Sequence, residues 1–170
     1  ISLSNNDANT GNTVFGYHAL SNAGTVLGNV GADYNVAVGE LAMGTGTTTD
    51  AIRNVAVGYK ALEDITSGDQ NSVVGYNSGA NITIGIGNTV LGEQALNSEA
   101  IGNYTTAIGF QTMYSQVSDG DNETTGNTGL GGSAGYYNVT GNNNSFLGYH
   151  SGWRTTGSDN TYVGYYAGKG

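Results

Sequence analysis

One short pattern recurs along this chain and constrains its fold more than any other feature. It is an Asn, three residues of strand-forming character, a Gly, and a small residue three places further on. The anchor glycines are Gly16, Gly39, Gly58, Gly75, Gly92, Gly109, Gly131, Gly148 and Gly164, spaced 23, 19, 17, 17, 17, 22, 17 and 16 residues apart. Nine repeats therefore run from residue 12 to residue 168, on a basic period near 17, with insertions at 21–34, 44–53 and 114–126. A fixed period of this size marks an architecture of stacked, similar units, because one unit alone cannot bury its apolar flank. A single repeat domain over residues 1–170 is expected.

Each column of the repeat has a physical reading. The residue before the anchor is always large and apolar: Phe15, Val38, Val57, Val74, Leu91, Ile108, Leu130, Leu147, Val163. The residue four before it is Asn in eight of the nine repeats, Thr105 being the exception. Alternation and β-branching favour strands, and a Gly in every core segment disfavours helix. The Gly is expected at a bend or a close backbone approach, and the Asn at a corner where its side chain bonds the turning backbone. Ile82–Gly85, Glu99–Gly102 and Thr25–Gly28 echo the main motif and predict a second, weaker strand in each unit. The expected fold is all-β, a parallel β-roll or β-solenoid of about nine coils. At about 4.8 Å per stacked strand it would be a rod on the order of 43 Å long.

The strands are apolar on both faces. One and three before the Gly point one way, and two before it points the other. Yet this middle column is also apolar or small, as in Val14, Ala56, Val73 and Phe146. A strand of that kind is covered on both sides. The coil interior covers one side, and the sequence leaves no second element for the other. Further copies of the chain are the expected cover, a thicker monomeric solenoid being the alternative.

Composition removes several classes of function. Gly 30 without any Pro excludes polyproline and collagen-like rods. The net charge is −9, and the only basic residues are Arg53, Lys60, Arg154 and Lys169. Four scattered cations do not make a phosphate groove, so no nucleic acid is expected as a partner, nor an anionic membrane surface. No apolar run approaches the ~20 residues of a membrane span, so this segment is not expected to insert. There is no Cys, hence no disulfide or thiolate site. The sequence opens at Ile1 without Met or a signal-like segment, as expected of a piece of a longer protein.

Pieces such as Asn35-Val-Ala-Val-Gly39, Asn54-Val-Ala-Val-Gly58 and Thr106-Ala-Ile-Gly109 resemble the head repeats of trimeric autotransporter adhesins. The longer Asn144-Ser-Phe-Leu-Gly-Tyr-His-Ser-Gly152, followed by Thr155 to Asn160, resembles repeats in phage tail fibres and bacterial fibres, which often precede an intramolecular chaperone domain. The likeness spans about residues 12–168, with a period longer than that of the adhesin heads. It implies a homotrimer, an extracellular place on a bacterial cell-surface fibre or a virion tail fibre, and attachment to a host or prey cell through a glycan or protein receptor. A non-enzymatic adhesive segment without a cofactor is the resulting expectation. A tailspike-type polysaccharide depolymerase and a passive spacer are the alternatives.

Aromatic rings follow the anchor in six of nine repeats: Tyr17, Tyr59, Tyr76, Phe110, Tyr149 and Tyr165. Ring faces suit the apolar faces of sugars. Parity puts these rings on the same face as the core aliphatics that precede the glycines, which favours packed rings over exposed ones. The C-terminal group, Trp153 with Tyr136, Tyr137, Tyr149, Tyr165 and Tyr166, is the better binding candidate because it departs from the repeat. The insertions are further candidates, since scaffolds project binding residues on loops. In the most polar, Asp119, Asp121 and Glu123 alternate as calcium ligands would, although the spacing lacks the calcium-binding helix–loop–helix pattern and equally suits a solvated acidic loop. Catalysis finds little support. His18 and His150 share one column and read as surface variants of it. Glu40 and Glu93 lie three repeats apart, roughly 14 Å at the strand spacing, beyond the reach of a glycosidase pair.

Overall fold

A computed structural model describes residues 11–21, 31–120 and 123–169. Among them there is no helix, and so none long and apolar enough to cross a membrane. Nine strands form one parallel sheet in sequence order: β1 (Thr13–Phe15), β2 (Val36–Val38), β3 (Val55–Val57), β4 (Ser72–Val74), β5 (Thr89–Leu91), β6 (Thr106–Ile108), β7 (Thr128–Leu130), β8 (Ser145–Leu147) and β9 (Thr161–Val163). Each strand ends at an anchor glycine. Because every neighbour is parallel, the rest of each repeat must carry the chain back to the same edge, and the result is a β-solenoid. Register holds column to column, with Phe15 opposite Val38 and Leu91 opposite Ile108.

The anchor column explains why register does not slip. Gly75 has φ +143, and a Cβ built on it would lie 2.4 Å from the carbonyl oxygen of Gly92. Anchors thus stack backbone on backbone, and only Gly fits. The turn that follows puts two residues of each repeat in the left-handed region. One is the second after the anchor, such as Lys60 (φ 56), and the other is the fourth, such as Leu62 (φ 51) and Leu96 (φ 49). A bulky residue there costs about 1 kcal/mol, and complete burial of those leucines offsets it. Where the fourth residue is glycine instead, the volume comes from elsewhere: the Phe146 ring occupies the space beside both Gly135 and Gly152.

The core differs from the expected side of the strand. The middle strand column is buried, with Ala37, Ala56, Val73, Val90, Ala107 and Phe146 facing the interior. The large apolar residues preceding the anchors, expected as core, face outward instead: Phe15 is 62% exposed, Leu91 49% and Val163 65%. The Asn column decides the direction. It shares parity with the middle column and must turn inward to serve the backbone, so the neighbours of the middle column point out. The strand is apolar on both faces, as the sequence requires, with inside and outside exchanged.

That Asn column is a buried ladder from Asn12 to Asn144, broken at Thr105. The Oδ1 of Asn54 accepts the N–H of Asn71 at 2.9 Å, and the Oδ1 of Asn71 accepts that of Asn88 at 2.9 Å. The Nδ2 groups donate to backbone carbonyls of the return segments, Asn35 to Ala51, Asn54 to Gly68 and Asn71 to Gly85, each at 2.8 Å. The corner role expected of Asn holds. At Thr105 the ladder lacks an amide. Gln116 takes its place, donating to Thr105 Oγ1 at 3.2 Å and accepting from Asn127 Nδ2 at 3.0 Å.

Two further expectations are corrected. No second strand forms in the described return segments. At 66–68 three successive N–H groups, of Thr66, Ser67 and Gly68, converge on the single carbonyl of Thr83, which bends the backbone rather than extending a ladder. The insertion at 44–53 is not simply a projecting loop, since Gly44, Gly46, Thr48 and Ala51 are buried. Residues 22–30 of the first insertion lie outside the described residues.

Candidate functional site

The column after the anchor projects aromatic rings at the end of the sheet. Repeat stacking brings successive rings face to face: Tyr59 and Tyr76 have centroids 5.2 Å apart and planes within 18°, and Tyr149 and Tyr165 5.8 Å and 12°. Tyr17, Tyr59, Tyr76, Phe110, Tyr149 and Tyr165 are all exposed. Packed rings were expected on parity, and the outward turn of this side of the strand is why they stand in the open.

The repeat of Gly131 interrupts this ladder. Its residue after the anchor is Gly132, followed by the small Ser133, while Phe110 and Tyr149 stand in the repeats on either side. A missing ring between two present ones leaves a gap, and a cleft of about 340 Å3 opens there. Phe110 and Tyr149 bound it along the ladder. Tyr136, Tyr137, His150 and Trp153 line it from the turn beyond. Gly132 is not in the left-handed region, and a Cβ built on it would lie 3.3 and 3.5 Å from two ring carbons of Tyr149, clear of close backbone contact. The glycine is thus not demanded by the backbone at this point.

A second line of rings holds the outer wall. Tyr114 and Tyr136, five after their anchors, stack at 5.2 Å and 11°. Tyr136 meets Tyr137 edge-on at 4.6 Å, and Tyr137 lies 5.6 Å from Trp153. His150 rests on Tyr149 at 4.0 Å, with Trp153 at 5.1 Å and Tyr166 at 4.9 Å. These contacts fix the rings and leave few rotamers to lose on binding.

The electrostatics of the cluster differ from those of the chain. The Arg154 guanidinium lies 5.2 Å from the Trp153 ring centre, and the Lys169 ammonium lies 4.4 Å from Tyr166 and 5.9 Å from Trp153. The one ion pair among the described residues is Lys60 with Glu63, at 3.1 Å, far from this cleft in sequence. The Nδ1 of His150 is buried without a hydrogen-bond partner. Burial, and then the Lys169 charge, lower the His150 pKa below the usual imidazole value. Burial, with Tyr137 and Tyr114 beside it, raises the Tyr136 phenol above its usual range.

All six aromatic candidates therefore fall in one cluster. Tyr136, Tyr137, Tyr149 and Trp153 line the cleft, Tyr165 stacks on Tyr149, and Tyr166 meets Tyr149 edge-on at 6.0 Å. Trp153 does not depart from the repeat as expected; it continues the column of Tyr114 and Tyr136. His150, read as a surface variant, is instead half-buried against Trp153. Gly132 carries a signal in the sequence that is easy to pass over: of the three repeats without a ring after the anchor, two have Glu40 and Glu93 and only this one has no side chain there. Glu123 accepts the N–H of Asp119 at 3.2 Å and a hydrogen bond from the Asn142 side chain, while Asp121 lies outside the described residues. Among the described residues no cluster of three His, Cys, Asp or Glu is placed to hold a metal. No protein-family model, no curated protein and no solved structure matches this chain.

Proposed function

We propose that the chain is a segment of a non-enzymatic, extracellular adhesive fibre, assembled from copies of itself and holding a glycan on a cell surface. One observation carries this reading: the row of large apolar side chains along the outer face of the sheet, from Phe15 through Leu91 to Val163, that a single chain leaves in water. Eight strand spacings of about 4.8 Å make that row on the order of 38 Å long. Monomeric soluble proteins rarely expose an apolar strip of such extent. The row carries no charge, so a second copy of the same row is a fitting cover. Three copies, rather than two, follows from the resemblance to trimeric adhesin heads and fibre repeats. Repetition by symmetry would then multiply weak contacts at the aromatic cleft into firm attachment.

The test is binding of the assembled protein to an array of cell-surface glycans and to whole cells. Retention on glycan, without release of oligosaccharide, supports the adhesive reading. Release of oligosaccharide would make it a depolymerase, and a blank array and blank cells would leave a spacer.

A further inference from the structure

Two places on the aromatic ladder carry cations, and they differ. Lys60 lies 5.7 Å from the Tyr59 ring, but Glu63 holds it in an ion pair and the neighbouring rings stack without a gap. At the other place two of the chain's four cations, Arg154 and Lys169, flank Trp153, and no carboxylate pairs with either among the described residues. In a chain of net charge −9, two cations against Trp153, a residue that lines the cleft, are a local reversal of charge. An unpartnered imidazole nitrogen, His150 Nδ1, is buried in the same cluster.

We propose that the gap left by Gly132 is a subsite for an acidic sugar. Its ring lies among Tyr137, Tyr149 and Trp153, and its carboxylate is answered by Arg154 and Lys169. This rests on the reading of the chain as a glycan-binding fibre and narrows the class of glycan. Rings supply apolar contact to any sugar. A neutral sugar would leave both cations unused, whereas a carboxylate gains charge-assisted hydrogen bonds from them. A cleft of about 340 Å3 is of the size that holds a small ligand.

The experiment is titration of the 170-residue protein with tetrasaccharides of galacturonic, mannuronic and sialic acid, each beside its carboxyl-reduced form, together with a neutral glycan array. At least one acid binds about tenfold or more tighter than its reduced form. Gly132→Tyr, which completes the ladder as Tyr76 does beside Tyr59, removes that binding while the thermal midpoint and sedimentation stay unchanged. Arg154→Gln with Lys169→Gln, both at exposed positions, abolishes the preference for acid, and decides the matter should Gly132→Tyr fail to fold. Equal affinity for acid and reduced forms, or binding to neutral glycans alone, overturns the acidic subsite and leaves the adhesive reading standing. Acid binding that survives Gly132→Tyr places the site elsewhere and also overturns it. Silence toward every glycan overturns both.

Discussion

Glu99 and Gln116 meet inside the solenoid, with the Gln116 Nε2 donating to the Glu99 Oε2 at 3.0 Å and both side chains fully buried. The other carboxylate oxygen of Glu99 accepts the N–H groups of Ala100, Ile101, Gly102 and Ser118 at 2.9–3.2 Å. In the two preceding repeats this interior place belongs to Ile65 and Ile82. The carboxylate is retained because it closes a set of donors, and Gln116 in turn bridges the break in the Asn ladder at Thr105. Glu99→Leu should therefore destabilise by about 2–3 kcal/mol although it is more apolar, and Glu99→Gln, which keeps an acceptor, by about 1 kcal/mol. Denaturant midpoints measure both. A Leu variant as stable as the parent would contradict the assignment.

Asn71→Ala removes the acceptor for the Asn88 N–H and the donor to the Gly85 carbonyl in one change. The expected cost is about 2 kcal/mol. Repeat stability is a sum of near-neighbour contributions, so hydrogen exchange should quicken around residues 71–88 and stay unchanged near Asn144.

Gly75→Ala tests the anchor column. The added carbon would lie 2.4 Å from a backbone oxygen at φ +143, and about 3 kcal/mol or more is lost. Gly120→Ala is the control, since a Cβ there meets nothing within 4 Å, and its effect stays within about 0.5 kcal/mol. Thermal melts of the two, side by side, read the difference.

The repeat, the parallel strands and the double-sided apolar character were legible in the sequence because each is a column property that survives without three-dimensional knowledge. Which side of the strand faces inward was not. Phe15 and Leu91 are larger than Ala37 and Ala56, and size alone points to the wrong side. Only the inward bond of the Asn amide to the next repeat settles it. The second strand failed for a related reason: Ile82-Thr-Ile-Gly85 has the right residues, but its neighbours converge their donors on one carbonyl and bend. At the site, the aromatic cluster could be read from residue types. His150 could not, because its role comes from Trp153 three residues on and Tyr166 one repeat on, brought together by stacking.

His150 gives the cluster a pH dependence. Burial and Lys169 hold its pKa below the unfolded value near 6.5, so the imidazole is neutral at pH 7. As pH falls through 6.5 the unfolded chain takes up a proton before the folded one, and this group's contribution to stability declines until pH passes below the folded pKa, where it levels off. A bound carboxylate favours the protonated ring. Affinity for an acidic sugar should therefore rise as pH falls from 7 toward 5, and His150→Asn should flatten the profile. Titration across that range checks it, and a rise that persists in the variant would assign the effect to another group.

The outer aliphatic row is where the whole account stands or falls. Sedimentation equilibrium of the folded chain at increasing concentration measures it most directly. A three-chain species of about 52 kDa, three times 17.3 kDa, is predicted, and Leu91→Glu with Leu130→Glu should reduce it to lighter species. A folded, soluble species that stays at 17.3 kDa on concentration would contradict the account.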